Sequence, residues 1–245
     1  MIELENVSFG YGRTPLIRDL SCQLRDGEIT AIIGPNGAGK STLLRLCARL
    51  LLPQSGSVSV GEKDARQYDP RAFARTLAFL PQSRPLPMIT VQELVMHGRY
   101  AHLGAMRRPG AGDRTAVEKA LTMTGMENLA NRELHTLSGG QRQMAYIAML
   151  IAQEAQHILL DEPLTFLDVG VQLALTDVLR SLRSEGRCIG LVVHDLALVP
   201  QLCDHVLLLQ EGQLVYDGAE LDAASIERAF GVRAVRREGW FFERK

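Results

Sequence analysis

No run in this chain approaches the roughly 18 consecutive apolar residues of a membrane-spanning helix, so any membrane association is expected to come through a partner. An excess of one charge is missing too: 27 Lys and Arg stand against 28 Asp and Glu, a formal net charge of -1. No overall basic field would draw the chain to nucleic acid or to an anionic bilayer. Cys22, Cys47, Cys188 and Cys203 are scattered, with no C-x-x-C pair, and read as small buried hydrophobes in a reducing compartment. Met1-Ile2-Glu3-Leu4-Glu5 has neither a basic n-region nor a signal-peptide core. Internal repeats, low-complexity tracts and heptad runs are absent. What remains is 245 residues with 46% hydrophobic content, enough for a sizeable core in one large domain or two closely joined lobes. A soluble, cytoplasmic α/β protein is the expectation.

The most informative stretch present is Gly34-Pro35-Asn36-Gly37-Ala38-Gly39-Lys40-Ser41-Thr42. It fits the pattern G-x-x-x-x-G-K-[ST] at Gly34, Gly39, Lys40 and Ser41. The β-rich run Ile29-Thr30-Ala31-Ile32-Ile33 leads in, and a helix-compatible run from Leu43 to Cys47 leads out. A Gly-rich turn between strand and helix points backbone N–H groups inward, and the helix N-terminus adds partial positive charge. Lys40 can bridge terminal phosphates, and the Ser41 hydroxyl can ligate Mg²⁺. The reading is a nucleoside-triphosphate site.

Along the chain, Leu20, Cys22 and Leu24 alternate with polar residues, the period-2 pattern of a half-buried strand. Asp26-Gly27 and the stretch from Pro53 to Gly56 read as turns, and Ser57 to Gly61 as a short strand. Leu77 to Leu80 is apolar and stops at Pro81. From Thr90 the character turns helical. Thr90 and Glu93 form a T-x-x-E capping box that opens a helix through Val91, Leu94 and Val95. The stretch from Arg107 to Gly112 is expected to be an exposed loop, and Val117, Leu121 and Met123 to belong to a second amphipathic helix. The core then resumes: Ile158-Leu159-Leu160 and Ile189 to Val193 suit parallel strands buried on both faces. Val206 to Leu209 and Gln213 to Tyr216, around Glu211-Gly212, predict a closing antiparallel hairpin.

Two further constellations carry chemistry. His157-Ile158-Leu159-Leu160-Asp161-Glu162-Pro163 is a buried strand ending in two acids, where α/β sheets bind ligands. Asp161 is placed to hold Mg²⁺, directly or through water, and Glu162 to orient or deprotonate an attacking water. Ser138 and Gln141, in Leu137-Ser138-Gly139-Gly140-Gln141, form an S-x-x-Q capping box. The helix that follows puts Met144, Ile147, Ala148 and Ile151 on one face. Gly139 and Gly140 are poor helix formers, so close approach of an anion to the bare backbone is the reading, against that of a merely flexible helix start.

These motifs, in this order, resemble the nucleotide-binding subunit of an ATP-binding cassette (ABC) transporter, over nearly the whole chain from Tyr11 to Gly218. Gly34 to Thr42 resembles the Walker A motif, Leu137 to Gln141 the family signature, and Ile158 to Glu162 Walker B with its catalytic glutamate. The resemblance implies a P-loop NTPase fold: a parallel-sheet core, an N-terminal antiparallel β subdomain and an inserted helical lobe. The expected division is one cassette over 1–245. Its RecA-like and β core comprises 1–89 and 154–218, the helical lobe 90–153 and a C-terminal extension 219–245. Tyr11 is similar to the aromatic that stacks on adenine. Gln82 is similar to the Q-loop glutamine that reaches Mg²⁺ and the attacking water, His194 to the switch histidine at the γ-phosphate, and Asp168 to the D-loop aspartate. Phe166 replaces a more usual small residue there. ATP and Mg²⁺ are the implied cofactors. The implied assembly is a head-to-tail pair of copies, each signature helix capping the ATP held by the other chain's Walker A.

The segment from Val91 to Gly104, with Gly98-Arg99-Tyr100-Ala101-His102, resembles importers of ferric siderophores, haem and cobalamin, in which Pro is frequent where this chain has Ala101. Glu162 to Asp168 also resembles the iron-chelate and molybdate group. The resemblance therefore implies a separate transmembrane permease, an external substrate-binding protein and a location on the cytoplasmic face of the inner membrane. His97 and His102 read as surface residues rather than metal ligands, since neither has a carboxylate or Cys partner in pattern. The competing readings are a soluble cassette ATPase acting on nucleic acid or ribosomes, and a nucleotide-sensing interaction module. Trp240-Phe241-Phe242 is expected to pack on a neighbouring lobe or a second subunit.

Overall fold

The computed structural model describes residues 1–12, 14–103, 108–236 and 240–244, with side chains as far as Ala234. β1 (Ile2–Tyr11) and β2 (Thr14–Leu24) open the chain as an antiparallel pair, and Leu20, Cys22 and Leu24 are buried as their alternation requires. β3 (Ile29–Ile33) leads into α1 (Lys40–Cys47). β4 (Ser55–Val60) and β5 (Lys63–Asp64) complete a four-stranded antiparallel sheet in the order β2-β1-β4-β5. β4 starts two residues before the strand read at Ser57, because Ser55 is already in register with Ser8 of β1.

α2 (Pro70–Thr76) and β6 (Leu77–Leu80) follow, and then three helices: α3 (Val91–His97), α4 (Ala111–Met123) and α5 (Gly139–Ala152). α3 opens on the expected capping box, with Thr90 Oγ1 accepting from Glu93 N and Glu93 accepting from Thr90 N. Gly112, read as loop, lies inside α4. Asp113 accepts from Gly110 N at 2.9 Å and starts the helix early. Of the rest of that loop reading, Arg108, Pro109 and Gly110 are exposed and outside any helix, while Arg107 lies outside the described residues. α5 is buried on more than the one face read from its periodicity, because α3 and α4 pack on it from one side and β6 and α6 (Val169–Ser184) from the other. Arg99, buried just past the end of α3, ties the three helices together. It bonds Asp113 Oδ1 at 3.0 Å, Ala152 O at 2.7 Å and Glu154 Oε2 at 2.6 Å. His97 is exposed and stacks on Tyr100, while His102 Nε2 meets Gln153 O at 2.9 Å.

β7 (His157–Leu160), β8 (Cys188–Val192), α7 (Val199–Leu202), β9 (His205–Gln210) and β10 (Gln213–Gly218) build a six-stranded sheet in the order β10-β9-β3-β8-β7-β6. It is parallel except for β10, which forms the expected hairpin with β9 around Glu211 and Gly212, both at positive φ. Every residue of β3, β7 and β8 is buried. Ala31, Ile33, Ile158, Leu160 and Leu191 face a core shared with the helices. Ile32, Leu159, Val192 and Leu207 face a second core beneath the antiparallel sheet and α1. Each such Val, Leu or Ile side chain contributes about 1.5–3 kcal/mol by burial. α8 (Ala223–Phe230) and a separate hairpin of β11 (Val232–Arg236) and β12 (Trp240–Arg244) follow. The packing expected of Trp240, Phe241 and Phe242 lies outside the described side chains.

The strand order fixes the site. Gly34, Gln82, Asp161 and His194 each lie just beyond the C-terminal end of β3, β6, β7 or β8, four consecutive strands of the parallel sheet. That edge is where open α/β sheets take ligands.

Candidate nucleotide site

Steric contacts within the chain shape the loop from Gly34 to Thr42. A Cβ at Gly34 (φ 147°) would sit 2.1 Å from Leu209 O, and one at Gly39 (φ 100°) 2.6 Å from Ile17 Cδ1. Gly39 caps α1 in the left-handed region with no side-chain hydrogen bond. The first-turn N–H groups of α1 therefore receive no side-chain cap, the arrangement that suits an anion. Lys40 is buried, and its Nζ donates to Gly34 O at 2.8 Å and Pro35 O at 3.0 Å. Burial pulls its ammonium below the usual lysine value, while Glu162 and Asp161 pull the other way.

Ser41 Oγ donates to Asp161 Oδ1 at 2.9 Å, joining the helix start to the end of β7. Burial pushes the Asp161 carboxyl above the usual range, and the Ser41 hydrogen bond offsets part of that push. Asp161 Oδ2 is buried with no partner. A hydroxyl and a carboxylate with a spare oxygen make a hard donor set that fits Mg²⁺.

Glu162 follows in a left-handed conformation, φ 55°, uncommon for a residue with a side chain. Its two oxygens are held from opposite partners: Gln82 Nε2 donates to Oε2 at 2.7 Å, and His194 Nε2 meets Oε1 at 2.6 Å. Glu162 and His194 line a cleft of about 210 Å³ together with Asn36, Gly37, Gly39, Lys40, Ser41, Thr42 and Leu16. Leu16 was not legible as a site residue. It is an ordinary β2 position that the two-sheet packing brings to the loop.

The other candidates lie apart from this cleft. Tyr11 ends β1, 51% exposed, with its ring edge-on to Phe9 at 5.1 Å between centroids. Ser138 and Gln141 make the reciprocal capping box at the start of α5, with Gln141 N donating to Ser138 Oγ at 3.2 Å and Ser138 N to Gln141 Oε1 at 3.0 Å. Gly139 is exposed, and Gly140 packs on Val171 of α6. Asp168 caps α6 by accepting from Val171 N at 3.0 Å. None of Tyr11, Ser138, Gly139, Gly140, Gln141 and Asp168 lines the cleft. Among the described residues no cluster of three or more His, Cys, Asp or Glu could hold a metal, and no helix is long and apolar enough to cross a membrane.

Fold and cleft together define a P-loop nucleotide-binding protein. A family model described as "ABC transporter" matches residues 17–165. The chain is 42% identical, over 236 residues, to the ferric enterobactin transport ATP-binding protein FepC of Escherichia coli (strain K12), covering 94% of this chain and 87% of that protein. It superposes with a TM-score of 0.84 and 29% identity on an inward-facing structure assigned to a metal-chelate type ABC transporter, covering 99% of this chain and 95% of that one. A dimeric post-hydrolysis structure of the ATP-binding cassette MJ0796, bound to ADP and Pi, gives a TM-score of 0.78 and 25% identity over 91% of this chain and 100% of that one. The chain belongs to the ABC transporter ATP-binding family and is an ATPase. Cassettes of this family act as dimers with transmembrane permease partners in import systems. A role on nucleic acid or ribosomes is not favoured by these relatives.

Proposed function

We propose that this chain is the energy-coupling subunit of an importer for a metal chelate, a ferric siderophore before haem, cobalamin or molybdate. The similarity to a ferric enterobactin transport subunit and to a metal-chelate type transporter supports this cargo class. The chain acts as one cassette, with core segments 1–89 and 154–218, a helical lobe over 90–153 and an extension over 219–245. It works at the cytoplasmic face of the inner membrane, held there by a separate permease that an external substrate-binding protein supplies.

One observation carries the hydrolytic reading: Glu162 stands at the cleft with each carboxylate oxygen already held, by Gln82 and by His194. Glu162 takes the water's proton or polarises it, while Gln82 and His194 fix its direction and sense the terminal phosphate. Lys40 leaves its two loop carbonyls to meet β- and γ-phosphate oxygens. The amides from Gly34 to Thr42 cradle the same phosphates, and Tyr11 stacks on adenine. Ser41 and Asp161, with Gln82, would hold Mg²⁺. When bound, that ion offsets charge on the phosphate oxygens. Ser138, Gly139, Gly140, Gln141 and Asp168 act on the nucleotide of a second copy in a head-to-tail homodimer.

The test is Glu162→Gln in the chain assembled with its permease. ATP binding is expected to persist while phosphate release falls at least about a hundredfold. Wild-type turnover would overturn the assignment. Uptake of ferric chelates by vesicles holding the same complex tests the cargo class, and uptake of only an unrelated solute would overturn it.

A further inference from the structure

Arg84 lies two residues after Gln82, and none of the chemistry above uses it. Its guanidinium sits over the Tyr146 ring, 4.7 Å from the centroid, and its Nη2 donates to Gln143 Oε1 at 2.6 Å. Gln143 is buried and donates Nε2 to Pro163 O at 2.7 Å, the carbonyl next to Glu162. The Tyr146 hydroxyl donates to Pro85 O on the same loop as Arg84. Gln143 and Tyr146 are three apart on α5, so they share one helix face. A single turn of the signature helix thus grips both the loop after Gln82 and the loop after Glu162.

The arrangement is costly as packing alone. No carboxylate pairs with Arg84 among the described residues, and its Nη1 is buried without a partner. Burial pulls the guanidinium below its usual value. A leucine or methionine over Tyr146 would fill the space without burying a charge. What an apolar residue lacks is a planar fork that can stack on a ring and bond an amide oxygen at once.

We propose that Arg84 is a positioning residue for ATP hydrolysis: stacked on Tyr146 and bonded to Gln143, it locks the Gln82 and Glu162 loops in register so that the hydrogen bond between those two side chains forms. This rests on the roles given above to Gln82 and Glu162. Gln143 is two residues beyond Gln141, so displacement of the α5 start toward a second copy's nucleotide carries both loops with it. The water-positioning pair in one half-site is thereby set by engagement of the same chain's signature helix in the other.

Steady-state hydrolysis by the chain assembled with its permease tests this, with Glu162→Gln run alongside. Arg84→Ala is expected to lower kcat about ten- to a hundredfold, the scale of a ~1 Å misplacement, with KM for ATP within about twofold of wild type. Arg84→Lys keeps the charge without the fork and is expected to stay closer to Arg84→Ala than to wild type. Gln143→Leu should match Arg84→Ala, and the double variant should be no slower than either single variant. Ile151→Val, on α5 away from these contacts, should lower the melting temperature without changing kcat. An unchanged kcat in folded Arg84→Ala, a raised KM at unchanged kcat, or losses that multiply would overturn the proposal. If Arg84→Ala does not fold, Arg84→Lys and Gln143→Leu give the same readings. A Glu162→Gln variant at full rate overturns the site assignment itself. An inactive one beside a full-rate Arg84→Ala overturns only the role of Arg84.

Discussion

Glycine stands at the start of both α1, as the N-cap Gly39, and α5, as the first residue Gly139, and the two starts are built in opposite ways. At α1 the glycines answer to the chain itself: Leu209 O and Ile17 press on Gly34 and Gly39, and a buried lysine follows. At α5 the backbone is capped by Ser138 and Gln141, and a Cβ at Gly139 would meet nothing within 4 Å. Only Gly140 has an internal neighbour, Val171 Cγ2 at 2.8 Å from a built Cβ. The first start is complete inside one molecule. At the second, the missing side chain of Gly139 has no reason inside the molecule, which fits a contact made between molecules.

That contrast can be broken most severely at Lys40. Lys40→Ala is expected to lower turnover about a thousandfold, because the buried ammonium proposed to meet the phosphates is lost. Phosphate release by the assembled complex measures it, and a loss under about tenfold would separate Lys40 from the chemistry. The glycine pair sharpens the contrast. Gly39→Ala is expected to destabilise the isolated chain by about 1–3 kcal/mol, through the clash with Ile17 and the left-handed backbone. Gly139→Ala should leave stability unchanged or raise it by up to about 1 kcal/mol, since alanine is the better helix former. It should nevertheless lower turnover of the dimeric complex about tenfold. Equal melting shifts for the two variants would erase the distinction.

The smallest effect concerns Asp161. Burial raises its folded-state pKa above the unfolded value, so this group favours folding below the unfolded carboxylate value. That contribution is lost as pH rises through the raised folded value. Asp161→Asn should therefore melt higher than wild type at neutral pH, and the gap should close on acidification. A gap that widens toward low pH would contradict the sign. The same variant should hydrolyse poorly, because the spare carboxylate oxygen is gone.

Much of this architecture was legible because it is local. The strand-turn-helix around Gly34 and Lys40, the alternation at Leu20, Cys22 and Leu24, and the two capping boxes each depend on neighbours in sequence. The start of β4 at Ser55 was not legible, since pairing with Ser8 on a distant strand decides it. Nor was the inclusion of Gly112 in α4, which Asp113 secures by capping from inside the helix. At the site, residue types and spacing gave Asp161 and Glu162, but nothing in them encodes the left-handed backbone of Glu162 or the spare oxygen of Asp161. Arg84 and Gln143 were passed over because each is unremarkable until the fold sets them against Tyr146 and Pro163.

The place of β3 in the sheet has a consequence for how the protein is made. The strand that carries the phosphate loop is followed at once by its helix, yet its only sheet neighbours are β8 and β9, which begin at Cys188 and His205. The antiparallel sheet, complete by Asp64, can assemble as soon as it leaves the ribosome; β3 must wait for almost the whole chain. A nascent chain therefore carries the entire nucleotide motif through most of its synthesis without a site to bind nucleotide.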